Sequence, residues 1–312
     1  MAKQPTESGI ESLQEIDADL SSGREFIYWA ARCFESSDIF YGHGTDNPLD
    51  EAVALVMHVL ELPFGCPDEL LDKRISSAEK ARIHELASRR IEHREPLAYL
   101  LGEAWFAGLR FKADARALVP RSPIAELVEQ GYEPWVDAES VTAVLDLCTG
   151  GGSIAIATAL ALPQAEVDAV DLSAEALALA AENVALHEVG QRVTLFEGDL
   201  FAPLRRKRYD IIVSNPPYVD AEDMAALPAE FRREPELGLA AGDDGLDIVH
   251  RILAEAPRYL ADEGILIVEV GNSAPALEAT YPQVEFTWLD FERGGDGIFL
   301  LTSDQLHAIA EK

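Results

Sequence analysis

An α/β protein with a mostly parallel seven-stranded sheet, preceded by a small N-terminal helical domain, is the architecture this chain predicts. Three observations carry that reading. After about residue 121, short apolar runs alternate with helical stretches, the pattern of parallel strands joined through helices that cover both faces. Before it, from about 22 to 93, the periodicity is helical only. The length, 312 residues, exceeds one average domain and suits two unequal ones.

The elements follow in order. Residues 1–94 form the helical domain: Phe26, Ala30 and Phe34 recur at one-turn spacing, as do Val53, Val56, Met57 and Leu60, then Ile83, Leu86 and Ala87. "NPLDEA" at 47–52 is a capped helix start, with proline in the first turn and acids after it. "LPFGCP" at 62–67 interrupts the pattern and "PDELL" resumes it. Residues 95–120, with Gly102, Gly108 and a closing Pro120, read as a hairpin-like connector. In 121–312 strands are expected at 142–148, 166–171, 193–197, 210–214, 264–270, 284–290 and 297–302. Helices are expected between the first five, for example "AEALALAAENVALHEV" at 174–189. The last two strands are joined by "ERGGDG" at 292–297, too short for a helix, so the last strand runs antiparallel.

Composition narrows the function. With 48% hydrophobic and 26% charged residues the chain is an ordinary soluble, folded protein. No apolar run reaches the roughly 18–20 residues that span a bilayer. The first twenty residues are polar and acidic, unlike a signal or transit peptide. Cys33, Cys66 and Cys148 are scattered, which fits a reducing cytoplasm, and no cluster with metal-ligand spacing points to a metal. Fifty-six acidic against 25 basic residues give a formal charge of −31. Such a field repels nucleic acid and steers in a basic partner, although acidic surfaces also serve solubility or salt tolerance.

"VLDLCTGGGSIAIATAL" joins the first strand of this sheet to its first helix. Asp146, Gly150 and Gly152 give the spacing D-x-x-x-G-x-G, and glycines let a backbone turn tightly against a ligand. Asp171 ends the second strand, where it can accept hydrogen bonds from ribose hydroxyls, and Asp199 closes the third. Three carboxyl ends thus line one crevice. The spacing departs from the dinucleotide G-x-G-x-x-G, and an extra acid before the loop suits the cationic methionyl end of S-adenosylmethionine better than the pyrophosphate of NAD.

The fourth strand, "DIIV" at 210–213, ends in Ser214-Asn215-Pro216-Pro217-Tyr218. Two prolines fix φ and stiffen the corner, and Pro216 turns Asn215 away from helical conformation. The Asn215 side-chain oxygen and its carbonyl make two acceptors for one NH2 group. Tyr218 offers a flat wall. The corner is a clamp for a planar, delocalised nitrogen, whether a glutamine amide or the amine of adenine.

"LDLCTGGGSIAIA" with "SNPPYV" resembles the class I S-adenosylmethionine-dependent methyltransferases, Rossmann-like enzymes, that modify the glutamine side-chain nitrogen (N5) of translation proteins. The resemblance extends through "FYGHGTDNPLDEA" (40–52), "EPLAYLLGEAWFAGLRF" (95–111), "LVPRSPIAELVE" (118–129) and "EPELGLAAGDDGLDIV" (234–249). Where the release-factor branch carries Pro-Glu-Thr after a Pro-Arg pair, this chain has Ser122-Pro123-Ile124 after Pro120-Arg121. That departure is similar to the branch acting on large-subunit ribosomal protein three. The resemblance implies an S-adenosyl-L-methionine site at Asp146, Thr149, Gly150, Gly151, Gly152, Asp171, Leu172, Asp199, Leu200 and Asn215. It implies catalysis by Asn215, Pro216 and Tyr218, and a substrate pocket of Asn215, Pro216, Pro217, Tyr218 and Phe106. Residues 121–312 would be the methyltransferase domain and 1–94 the substrate-recognition domain, with a basic ribosomal protein, free or in assembly, as partner. The alternatives are a release-factor glutamine methyltransferase, a DNA adenine methyltransferase, whose only basic candidate face is "RRKR" at 205–208, and a binding protein without catalysis.

Overall fold

A computed structural model describes residues 20–205 and 207–310. The N-terminal stretch read above as neither signal nor transit peptide lies outside them apart from Leu20, as does Arg206 of the basic stretch. The chain divides into two compact units between Leu101 and Gly102.

The first unit contains α1 (Gly23–Glu35), α2 (Pro48–Val59), α3 (Asp68–Leu71), α4 (Ser77–His93) and α5 (Leu97–Leu101). Capping boxes open α1 and α4: Ser22 and Ser76 each accept a backbone N–H, and Glu25 and Glu79 reach back to the cap. At α2 the Asn47 side chain accepts the Asp50 N–H, with Pro48 in the first turn. Phe26, Ala30, Phe34, Leu55, Val56, Ile83 and Leu86 form the core. In α2 the buried stripe differs from expectation: Val53 and Leu60 are only partly buried, whereas Ala52 and Leu55 are fully so. The reason is Glu51, turned inward to pair with Arg90 of α4, both side chains 2% exposed. This pair sets the rotation of α2, and a hydrophobic count does not register it.

The second unit opens with the hairpin β1 (Glu103–Phe106) and β2 (Leu109–Lys112). Ala107 and Gly108 make its two-residue turn, both at positive φ, the geometry that matches strand twist. There follow α6 (Ile124–Glu129), β3 (Ala143–Leu147), α7 (Ser153–Ala161), β4 (Glu166–Asp171), α8 (Ala174–Leu186), β5 (Val193–Glu197) and β6 (Tyr209–Ser214). The chain continues through α9 (Ala221–Ala226), α10 (Asp247–Glu255), β7 (Leu260–Glu269), α11 (Ala274–Thr280), β8 (Thr287–Trp288), β9 (Ile298–Thr302) and α12 (Ser303–Ala310). The sheet order is β5-β4-β3-β6-β7-β9-β8, parallel except for β9, which runs against both neighbours. Successive residues feed opposite faces. Val144, Val167, Ile211, Val213 and Ile265 enter one core; Leu145, Leu147, Ile212, Leu266 and Val268 enter the other.

One expectation fails here. Between β5 and β6 the described residues hold no helix; the chain turns at Asp199–Pro203. Gly198 lies so close to Pro203 that a Cβ there would meet its ring at 2.7 Å. Leu200 and Phe201 instead cover the sheet directly, with Phe201 stacked on Tyr259 at 4.6 Å. The expected strand at 284–290 is reduced to Thr287–Trp288.

The register positions the site. Leu147 pairs with Val170 of β4 and with Ser214 of β6, so these three strands end level. Strand order reverses between β3 and β6, the switch point where open sheets of this kind bind ligands.

Candidate active site

The glycine loop is held from behind. Asp146 is wholly buried; its Oδ2 accepts from Thr149 Oγ1 at 2.5 Å and from the Ala155 N–H at 3.1 Å. Oδ1 has no hydrogen-bond partner among the described residues. Burial pushes this carboxyl up to about 7, against those two hydrogen bonds, with the Asp171 charge adding to the rise. Gly152 sits at φ +82, and a Cβ there would lie 3.2 Å from that of Ala180. Its role is close packing against α8. Asp171, pushed upward chiefly by burial, accepts from the Gly150 N–H at 2.7 Å and the Ser173 N–H at 2.8 Å.

In front of the loop lies a cavity of about 350 Å³, within the range of small-molecule sites. Its wall includes Thr149, Gly150, Gly151, Asp171, Leu172, Asp199 and Leu200 on one side and Asn215, Pro216, Pro217 and Tyr218 on the other, with Phe106. Asp146 and Gly152 stand behind this wall. Phe106 belongs to the cavity and to the core at once, 4% exposed and edge-on to Phe111. Asp199 pairs with Arg251 at 2.7 Å, and Leu172 is exposed.

The proline corner is braced on every side. Tyr218 Oη donates to Glu269 Oε1 at 3.0 Å, and its carbonyl accepts from Ser273 Oγ at 3.0 Å. Gly271 lies under the ring, where a Cβ would come within 2.7 Å. A strap between α9 and α10 covers the corner, with Val219 donating to the Leu239 carbonyl and accepting from the Ala241 N–H. The strap is tied down by Glu234, which takes both Arg121 nitrogens at 2.7 and 2.8 Å and the Val119 N–H at 2.9 Å.

Two family models match the chain, the Methyltransferase small domain over residues 135–232 and the PrmC N-terminal domain over 29–102. The ribosomal protein uL3 glutamine methyltransferase of Bordetella pertussis is 48% identical across 93% of this chain and 97% of its own. The protein of that name from Xanthomonas campestris pv. campestris is 51% identical, covering 91% of this chain and 92% of its own. That of Francisella tularensis is 44% identical over 94% of each. The chain belongs to this family.

In this methyltransferase the residues singled out from sequence fall into two groups, those in the cavity wall and the two, Asp146 and Gly152, that shape the loop from behind. Sequence reasoning missed four more. Asn183 of α8 accepts the Lys112 N–H at 2.8 Å and donates to the Gly151 carbonyl at 2.9 Å, joining hairpin and glycine loop. Its signal was present: an amide in line with Ala176, Leu179 and Ala180 on the buried face of a helix. Glu269, an acid closing the apolar run of β7, was legible in the same way. Glu234 and Ser122 lie in irregular segments; the sequence marks them only as parts of longer motifs and does not show what they hold.

Proposed function

We propose that this methyltransferase transfers a methyl group from S-adenosyl-L-methionine to the side-chain amide nitrogen of a glutamine in ribosomal protein uL3. The observation that carries the reading is the Asn215–Tyr218 corner, set level with the glycine loop in one cavity wall, in a chain whose relatives carry that name. The residues present fit the cofactor. A buried carboxylate oxygen without a donor costs about 1–3 kcal/mol, and Asp146 Oδ1 at the loop is such an oxygen, suited to an ammonium group directly or through water. Asp171 would face the ribose, and Asp199 and Leu200 would flank the adenine. Bound adenosylmethionine supplies an electrophilic methyl carbon on a sulfonium.

The chain's part is to hold the nucleophile. An amide nitrogen shares its lone pair with the carbonyl and attacks poorly. Asn215 Oδ1 and the backbone carbonyls of the corner accept its two N–H groups, orient the nitrogen, and remain in place to take the proton that becomes acidic on methylation. Tyr218 and Phe106 exclude water around the planar amide. Positioning of this kind supplies much of the acceleration in a displacement reaction.

The division of labour follows the two units. We assign residues 1–94 to substrate recognition, residues 95–120 to a connector that contains the hairpin, and 121–312 to catalysis; the PrmC N-terminal domain match over 29–102 supports a distinct N-terminal domain. A glutamine must be exposed on its peptide to enter the cavity, which favours a substrate met free or during ribosome assembly. A charge of −31 favours a basic protein over DNA. Two residues of the basic stretch have partners within the unit, Lys207 with Asp168 and Arg208 with the Leu260 carbonyl. Three free thiols fit a cytoplasmic enzyme, and no helix among the described residues is long and apolar enough to cross a membrane.

The test is methyl transfer from labelled adenosylmethionine to free uL3, a release factor and adenine-containing duplex DNA, with mass spectrometry locating the label. Label on a uL3 glutamine alone supports the reading. Label on the release factor keeps the chemistry and removes the substrate, and label on DNA overturns both.

A further inference from the structure

The clamp's aromatic wall is fastened to the rest of the site by one carboxylate. Glu269 closes β7, the strand beside β6, and is 5% exposed, yet it reaches the cavity wall. Its two oxygens serve different partners: Oε1 accepts from Tyr218 Oη at 3.0 Å, and Oε2 accepts from Ser122 Oγ at 2.5 Å. Ser122 Oγ in turn accepts the Ile124 N–H at 3.1 Å, which fixes it at the head of α6. The neighbouring Arg121 is hydrogen-bonded to Glu234 at 2.7 Å, and its charge also favours the ionised form of Glu269. Glu269 is therefore a buried acid whose hydrogen bonds come from two hydroxyls, an arrangement that costs stability unless something else is gained from it. What it gains is geometry. Tyr218 is fixed at its hydroxyl by Glu269, at its carbonyl by Ser273 and beneath its ring by Gly271, so the ring has one orientation relative to Asn215 and Pro216.

We propose that Glu269 is a positioning residue for methyl transfer: acting through the Tyr218 hydroxyl, and braced by Ser122, it holds the aromatic wall at the angle that aligns the substrate amide. The inference rests on the reading of Asn215–Tyr218 as an amide clamp. The hydrogen bonds of Glu269 go to Tyr218 and Ser122 and not to the glycine loop or Asp171, so its loss should leave the donor side of the cavity as it is.

The experiment is a double-mutant cycle on the full-length protein, with uL3 as methyl acceptor. Glu269→Gln keeps the shape and one acceptor but removes the charge that takes both hydroxyls; Tyr218→Phe keeps the ring and removes the hydroxyl. Kinetics, adenosylmethionine affinity by calorimetry and thermal melting are read for each single and for the double variant. The expected result is a fall in kcat of about 10–100-fold in each single variant, unchanged adenosylmethionine affinity, and a double variant no slower than the slower single one. Ser122→Ala gives a smaller fall in kcat in the same direction. A Glu269→Gln penalty that recurs in full on the Tyr218→Phe background overturns the proposal, because the carboxylate then does not act through that hydroxyl. Unchanged kcat in Glu269→Gln overturns it as well. If Glu269→Gln does not fold, Tyr218→Phe and Ser122→Ala decide, and full kcat in both overturns the proposal. Asn215→Ala is measured alongside: activity retained there sinks the clamp itself, whereas activity lost there but kept in Glu269→Gln sinks only the role of Glu269.

Discussion

In the proposed clamp Asn215 holds the reacting nitrogen, and Asn215→Ala is the variant that separates binding from catalysis. On that reading its side chain is one of two acceptors for the substrate NH2, and the loss would remove orientation at the reacting atom. A fall in kcat on the order of 10²-fold or more is expected, with adenosylmethionine affinity largely kept because the glycine loop is untouched; single-turnover transfer together with calorimetry measures both. Asp146 gives a pH signature. Its folded-state carboxyl, raised by burial to about 7, binds a proton more readily than in the unfolded chain. Its contribution to stability is therefore greatest at low pH and declines as pH rises from the ordinary carboxylate range to about 7. A cationic methionyl end nearby favours the ionised form, so adenosylmethionine affinity should rise with pH through this window and level off above it. Titration calorimetry over the range checks the slope, and Asp146→Asn should flatten it. Chain order places Asp146 just before the glycine loop, but whether it faces a ligand or supports the loop depends on which way a buried side chain turns, and D-x-x-x-G-x-G does not encode that.

At the scale of elements, two polar side chains join structures that hydrophobic patterning leaves separate. Asn183 couples α8, β2 and the glycine loop. Its removal strands the Lys112 N–H and the Gly151 carbonyl inside the unit, so Asn183→Ala should cost about 2–3 kcal/mol and weaken adenosylmethionine binding, read from urea unfolding and calorimetry. Glu51 and Arg90 couple α2 to α4 in the helical unit, each 2% exposed. Arg90→Met leaves a buried carboxylate unpaired and should destabilise that unit by about 3–5 kcal/mol. Hydrogen exchange should show lost protection in α1, α2 and α4, and adding Glu51→Leu should restore much of it. The strands were legible because apolar runs of β length recur between turn residues, as in "AVLDL" and "DIIV". The missing helix before β6 was only half legible: Pro203 in "DLFAPLRRKR" opposes a helix, whereas its close approach to Gly198 is seen only in the fold. The strap was not legible, because Glu234 and Arg121 are 113 residues apart on the chain and find each other only in the fold.

For the molecule as a whole, charge is the dominant property. A protein at −31 attracts a basic substrate over distances comparable to the Debye length, about 10 Å at 0.1 M salt. If the acidic surface serves that capture, kcat/KM for uL3 should fall as salt rises while kcat stays level; a rise in both with salt would assign the acidity to salt tolerance. The sheet order has a further meaning for how the molecule comes into being. The cavity wall draws on residues from Phe106 to Glu269, and β9, the last strand made, slots between β7 and β8. A chain emerging from the ribosome possesses the glycine loop early, but Glu269, Gly271 and Ser273, which seat Tyr218, arrive only in its final sixth. The seat of the proposed clamp is therefore complete only once the last sixth of the chain is in place.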